Sequence, residues 1–195
     1  SFKVRRGTIH GICGENGAGK STLMKILAGV YPVATYTGDV KLNGQVLKFT
    51  HEAIHEAIKH GISIVYQELA LIPKLTVGEN IFLGREPSKR GGIDWNHLYA
   101  NTRKILQEYH LDIPFDSMVE DLGVGKQQMV EIAKALSENA QVLILDEPTS
   151  ALTEAEVEAL MGILRNLKSR GVTCLYISHK LEEFFRITDE ITVFR

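Results

Sequence analysis

Short apolar, β-rich runs alternate along this chain with stretches of helical period, the arrangement expected of a parallel sheet with crossover helices. The run Thr8-Ile9-His10-Gly11-Ile12-Cys13 reads as a strand and leads into a glycine-rich loop. A helix follows from about Lys20 to Ala28, with Leu23, Ile26 and Leu27 on its apolar face and Gly29 as its stop. Asp39 to Leu47 reads as a hairpin turning at Asn43-Gly44, a type I′ signal. Ile62 to Tyr66 is the next strand, and Gln67 follows it.

From about Val77 to Leu136 the pattern turns mainly helical, with Leu98, Thr102, Ile105, Leu106 and Tyr109 sharing one face of a segment that starts near Asp94. Val142-Leu143-Ile144-Leu145-Asp146 is then a continuous apolar run of the kind buried inside parallel sheets. Thr153 with Glu156 three residues on forms a capping box for a helix whose stripe is Val157, Leu160, Met161, Leu164 and Leu167, ended by Gly171. A strand over Thr173 to Ile177, a short helix and an edge segment over Glu190 to Arg195 complete the pattern. The expectation is one α/β domain over 1–195, its core at about 1–76 and 137–195 and a helical subdomain at about 77–136.

Bulk properties alter this picture little. The 195 residues are 44% hydrophobic and 24% charged, enough for one domain that buries about 70% of the surface its unfolded chain exposes. A formal charge of −2 gives no general attraction to nucleic acid or anionic lipid. Cys13 and Cys174 sit in separate apolar runs and read as free thiols, consistent with a reducing compartment. No apolar run approaches the roughly 20 residues that span a bilayer, and the first residues do not read as a signal peptide. Any membrane role therefore calls for a separate partner.

The chemistry begins at Gly14-Glu15-Asn16-Gly17-Ala18-Gly19-Lys20-Ser21, followed by Thr22, a full match to the phosphate-loop pattern between a strand and a helix. Its glycines let successive N–H groups point inward at phosphate oxygens, and the helix adds its positive end. Lys20 can reach the β- and γ-phosphates and the Ser21 hydroxyl can ligate Mg²⁺. Asp146 and Glu147 close the apolar strand at its carboxyl end, where ligands bind in open α/β sheets. There Asp146 would hold Mg²⁺ through water and Glu147 would polarise the attacking water. A chance glycine-rich turn and a pair of helix-capping carboxylates are the bland readings, and the combination in order argues against both. The fold class expected is that of a P-loop NTPase, with an antiparallel β element and an inserted α-helical subdomain.

With these residues in place, the chain resembles the ATP-binding domains of ABC transporters over nearly its whole length. Gln67 stands at the Q-loop position, which the resemblance makes a Mg²⁺ ligand and γ-phosphate sensor. Leu122-Gly123-Val124-Gly125-Lys126-Gln127 looks like the ABC signature, Ser150-Ala151-Leu152-Thr153 like the D-loop, and His179 like the switch histidine that contacts the γ-phosphate. The resemblance implies a head-to-tail pair in which one signature faces the ATP held by the other copy's phosphate loop. Gly123 and Gly125 would allow close backbone approach, and the helix they open would present its N-terminus. Gly123 departs from the usual Ser, removing one hydrogen bond of about 0.5–1.5 kcal/mol. Thr153 stands where Asp is common.

Ala18 to Lys25, Tyr66 to Pro73, Gly78 to Gly84 and Pro148 to Thr153 are similar to the first half of bacterial monosaccharide importer ATPases. The Asp121-Leu122-Gly123 spelling and the longer loop from Tyr31 to Gly38 are most similar to the D-xylose branch. The implied partners are a second ATP-binding domain, transmembrane permease subunits and, indirectly, a periplasmic sugar-binding protein. The implied place is the cytoplasmic face of the inner membrane. Gln67 to Asn80 with the adjoining helices would receive the permease, and Leu69, Leu71, Ile72 and Leu75 there could equally pack the core.

Other readings stay in view. His51-Glu52-Ala53-Ile54-His55 satisfies the spelling of a zinc-peptidase helix, but it lies on a short helix ending at Gly61 beside a complete triphosphate site. A non-transport ABC ATPase and a binding-only module are the rivals within the family. The resemblance also implies an N-terminal strand with an adenine-stacking aromatic before Ser1, a position Phe2 does not match. The expectation is a fragment that grips phosphates better than it recognises adenine.

Overall fold

The computed structural model describes residues 2–15, 17–32, 35–49 and 53–195. Asn16 of the phosphate loop and His51 and Glu52 of the zinc-like spelling lie outside the described residues. Strand β1 (Ile9–Gly14) runs into the phosphate loop and helix α1 (Lys20–Leu27). Strands β2 (Val40–Leu42) and β3 (Gln45–Leu47) form an antiparallel hairpin. Asn43 and Gly44 both adopt positive φ, 51° and 82°, as a type I′ turn requires. Helix α2 (Ala53–Lys59) and strand β4 (Ile62–Val65) follow.

The next segment carries helix α3 (Val77–Phe82), a small hairpin of β5 (Ser88–Lys89) and β6 (Gly92–Ile93), helix α4 (Trp95–Glu108) and helix α5 (Val124–Leu136). The hairpin was not expected from the helical pattern. The chain then returns through β7 (Val142–Asp146), α6 (Glu154–Ser169), β8 (Thr173–Ile177), α7 (Leu181–Ile187) and β9 (Glu190–Phe194).

Five strands form one sheet in the order β4-β7-β8-β1-β9, with every pairing parallel. Alternation along each strand builds a core on either face. Leu143, Leu145, Cys174, Tyr176 and Ile9 face α5, α6 and α7. Ile144, Leu175, Ile177 and Ile12 face Met24 of α1, with Leu47, Phe49 and Ala57. The apolar face of α1 is thus turned from its expected setting: Met24 is buried, and Leu23 and Leu27 are half-buried. Helix α6 keeps its expected stripe and adds Ile163. Cys13 and Cys174 are both free, and burial pushes the Cys174 thiol up to about 12. Among the described residues no helix is long and apolar enough to cross a membrane.

Asn80 organises the start of the helical segment. Fully buried in α3, it accepts from the Ile72 N–H at 2.8 Å and donates to the carbonyls of Ile72, Leu75 and Thr76. Thr76 and Glu79 close a capping box one turn away. Replacing Asn80 by Ala strands these backbone groups under the helix, at a cost of about 2 kcal/mol. Asn80→Ala should therefore melt roughly 4–8 °C lower in a thermal scan.

Candidate functional site

Because all five strands run the same way, their carboxyl ends open along one rim. The phosphate loop leaves β1 there, Gln67 follows β4, Asp146 and Glu147 end β7, and His179 follows β8. In the loop, Gly17 and Gly19 take φ of 87° and 92°, which side chains disfavour, and Gly19 caps α1 without any side-chain bond. Gly14 is required for another reason: an added Cβ would sit 2.4 Å from the Phe194 carbonyl of the neighbouring strand. Lys20 curls back over the loop and donates to the carbonyls of Gly14 at 2.6 Å and Glu15 at 3.0 Å. Ser21 and Thr22, in the first turn of α1, are exposed.

Asp146 is half-buried, and its carboxylate makes no hydrogen bond among the described residues. Burial pushes its carboxyl above the ordinary range, against the pull of Lys20 and Lys25. Glu147 sits at a φ of +48°, a conformation that costs a non-glycine residue about 1–2 kcal/mol. The surroundings hold it there. Its N–H donates to the Ile177 carbonyl at 3.0 Å, and its carboxylate lies 2.8 Å from Nδ1 of His179. Lys20, Asp146, Glu147 and His179 are thereby brought to one place. Gln67 is exposed at the end of the strand next to β7.

The residues 122–127 stand apart. Among the described residues no hydrogen bond or ion pair joins them to residues 14–22, as a site completed by a second copy would require. Leu122 packs against the core and Gly123 is the N-cap of α5, with no side-chain bond. Gly123 has ordinary φ and open space around an added Cβ, so nothing within this chain demands glycine there. Gly125 differs: the Glu156 carboxylate lies 2.2 Å from where its Cβ would be. Val124 and Lys126 are exposed. Gln127 turns inward, donating to the carbonyls of Val119 and Leu122, so it supports the turn rather than facing a ligand.

Two buried carboxylates of the neighbourhood were not anticipated. Glu131 of α5 accepts from the Ala70 N–H at 2.7 Å, fastening the segment after Gln67 to the helix that starts at Gly123. Glu183 of α7 accepts from Thr149, Tyr176 and Ser178. Burial pushes the Glu183 carboxyl up, but those three hydroxyls and Lys180 more than reverse it. The only signal in the sequence is an acidic residue beside Phe184 on a short apolar helix.

The segment expected to receive a permease is put to mixed use. Leu71 packs against the core, while Ile72 is exposed. None of residues 67–80 lines the cleft of about 440 Å³ formed by Phe82, Lys104, Tyr109, Ser137 and Arg170 among others. Its Asn139, Ala140 and Val172 lead into β7 and β8, so it lies at the amino ends of the strands, opposite the phosphate loop. Of the zinc-like spelling, His55 is exposed, and among the described residues no group of three or more His, Cys, Asp and Glu is placed to hold a metal ion. The Phe2 ring lies near those of His10 and Phe194, packing against β1 and β9.

Comparison with known proteins decides the family. The sequence profile described as "ABC transporter" matches residues 1–150. The chain belongs to the ABC transporter family. It is 59% identical over 194 residues to the xylose import ATP-binding protein XylG of Moorella thermoacetica, covering 100% of this chain and 38% of that protein. It is 53% identical to the L-arabinose transport ATP-binding protein AraG of Geobacillus stearothermophilus, with the same coverage. The chain thus spans about 38% of the length of these relatives. Among solved structures, the ADP conformation of MJ1267, an ATP-binding cassette of an ABC transporter, superimposes with a TM-score of 0.83 at 25% identity, covering 99% of this chain and 78% of that one. The dimeric post-hydrolysis state of the cassette MJ0796, bound to ADP and Pi, gives 0.81 at 26% identity, covering 100% and 84%. The expected P-loop α/β fold is the observed one.

The raised Asp146 carboxyl yields a stability prediction for this ABC domain. An acid whose folded pKa lies above its unfolded value costs stability as pH rises from about 3.9 through the folded value, because the fold disfavours its charge. Asp146→Asn removes that charge. The variant should melt higher than the parent at neutral pH, with the difference vanishing in acid, as measured by thermal scans across pH.

Proposed function

We propose that this chain hydrolyses ATP as the nucleotide-binding domain of a pentose importer, with D-xylose as the favoured sugar. The contact between Glu147 and His179, beside Lys20 at the ends of parallel strands, carries the reading. ATP is the substrate. In binding it, the phosphates take Lys20 from the Gly14 and Glu15 carbonyls, and the loop amides complete the cradle. Glu147 polarises the attacking water, while His179 fixes the Glu147 carboxylate and reaches the γ-phosphate. Catalysis of this kind rests on positioning and on charge stabilisation. Ser21, Gln67 and Asp146 suit Mg²⁺, since each offers an oxygen and the Asp146 carboxylate has no competing hydrogen bond. When bound, the ion spreads the negative charge of the phosphates.

The names of the relatives support pentose import, and the dimeric cassette supports pairing with a second ATP-binding domain. The sugar would be selected by a periplasmic binding protein and by permease subunits, not by this domain. We assign the segment from Gln67 to Asn80 with the adjoining helices to the permease, and with it a place at the cytoplasmic face of the inner membrane. A non-transport role has no observation in its favour. A binding-only module has one, the glycine at 123.

Two experiments test this reading. Glu147→Gln should bind ATP and accumulate an ATP-dependent dimer while turnover falls at least about 100-fold, and Lys20→Ala should lose ATP binding. Full turnover in Glu147→Gln would refute the assignment. Gly123→Ser fits the open space at α5 and adds a hydroxyl toward the second copy. It should tighten the ATP-bound dimer by about 0.5–1.5 kcal/mol, read from the dimer dissociation constant of a hydrolysis-deficient background.

A further inference from the structure

Resting on that reading, we infer that Glu183 is a positioning residue for hydrolysis: it fixes, from beneath, the spacing between the segment that carries Glu147 and the segment that carries His179. The need for such a device follows from the sheet. The pairing of β7 with β8 ends at Asp146 and Ile177, one residue before Glu147 and two before His179. Beyond that point the strands become loops. One backbone bond from the Glu147 N–H to the Ile177 carbonyl, a long bond of 3.4 Å from the Lys180 ammonium to the Thr149 carbonyl, and the exposed side-chain contact itself span the gap near the surface. An exposed pair of this kind holds little by itself.

Glu183 extends the zipper below the surface. It is 5% exposed, and its carboxylate gathers donors from both sides of the gap. Thr149, two residues after Glu147, donates to Oε1 at 2.7 Å. Ser178, immediately before His179, donates to Oε2 at 2.9 Å and accepts from the Lys180 N–H at 3.0 Å. Tyr176, the penultimate residue of β8's paired stretch, donates to Oε2 at 2.6 Å. Lys180 approaches Oε1 at 3.3 Å. Thr149, Ser178 and Tyr176 are all buried, so each hydroxyl depends on this one acceptor rather than on water. The carboxylate touches neither Glu147 nor His179. It acts through the backbone that bears them, and a misplacement of about 1 Å at a reacting group can cost 100-fold in rate.

The test uses the full chain, in which wild type and Glu147→Gln first establish whether ATP is hydrolysed. Glu183→Ala is expected to lower kcat roughly 10- to 100-fold while KM for ATP changes less than about threefold. In a His179→Ala background the same change should add less than about threefold, because the geometry it protects is already lost. Glu183→Gln, which keeps the shape and one acceptor, should fall between. If Glu183→Ala fails to fold, Ser178→Ala removes one branch alone and carries the same expectations for kcat, KM and non-additivity. A readout free of turnover accompanies these: exchange of the Glu147 N–H should quicken and the His179 ring resonances should shift, with the Leu175 amide unchanged. That measurement decides the inference even if the wild type proves inert toward ATP, in which case only the proposed function falls. Unchanged kcat, a loss fully additive with His179→Ala, or unaltered Glu147 and His179 signals would overturn the inference.

Discussion

A parallel sheet delivers all its strand ends to one rim, and the phosphate loop, Gln67, Asp146, Glu147 and His179 all depend on that constraint. Backbone pairing holds β1, β4, β7 and β8 in register. The residues just past each end therefore arrive near one another before any side chain joins them. The phosphate loop uses its own backbone amides there, so its sequence needs glycines and one lysine rather than a network of side chains. The same constraint leaves a difficulty, since the pairing that aligns the strands stops where the chemistry starts. Glu147 sits at a disfavoured φ in that zone. What holds it is a short list of contacts with the loop after β8.

Much of this was legible in the sequence because the strong signals are local. The strand and helix flanking the phosphate loop, the type I′ turn at Asn43-Gly44 and the capping box of Thr153 and Glu156 each depend on residues within a few positions, and all three elements of structure are present. The rotation of α1 was less legible. Leu23, Met24, Ile26 and Leu27 cover much of its circumference, so the pattern does not choose a face. The loop fixes the helix's entry instead, and Met24 turns inward. The β5–β6 hairpin escaped because its strands are two residues long and its turn places Arg90 at a φ of 53°, a residue that gives no turn signal.

Of the site, the charged and glycine-bearing positions were legible and their supports were not. Thr149, Tyr176 and Ser178 are ordinary residues until folding surrounds them with one buried carboxylate. Glu131 and Glu183 look like solvated helix charges in a linear reading, and only the packing of α5 and α7 makes them acceptors. Gly123 was read as a place of close approach. Within this chain the space beside it is open, so any crowding must come from another molecule.

The Glu156 carboxylate makes one attachment and one close approach. It accepts from the Thr153 N–H and hydroxyl, closing the cap of α6, and it lies over Gly125 in the first turn of α5. The first turns of α5 and α6 therefore meet over one carboxylate. A side chain added at Gly125 would push the Glu156 carboxylate off the cap at Thr153. Selection acting on either segment would then act on both. A substitution at Thr153, Glu156 or Gly125 changes a shared joint, which makes these three positions a natural unit to vary together.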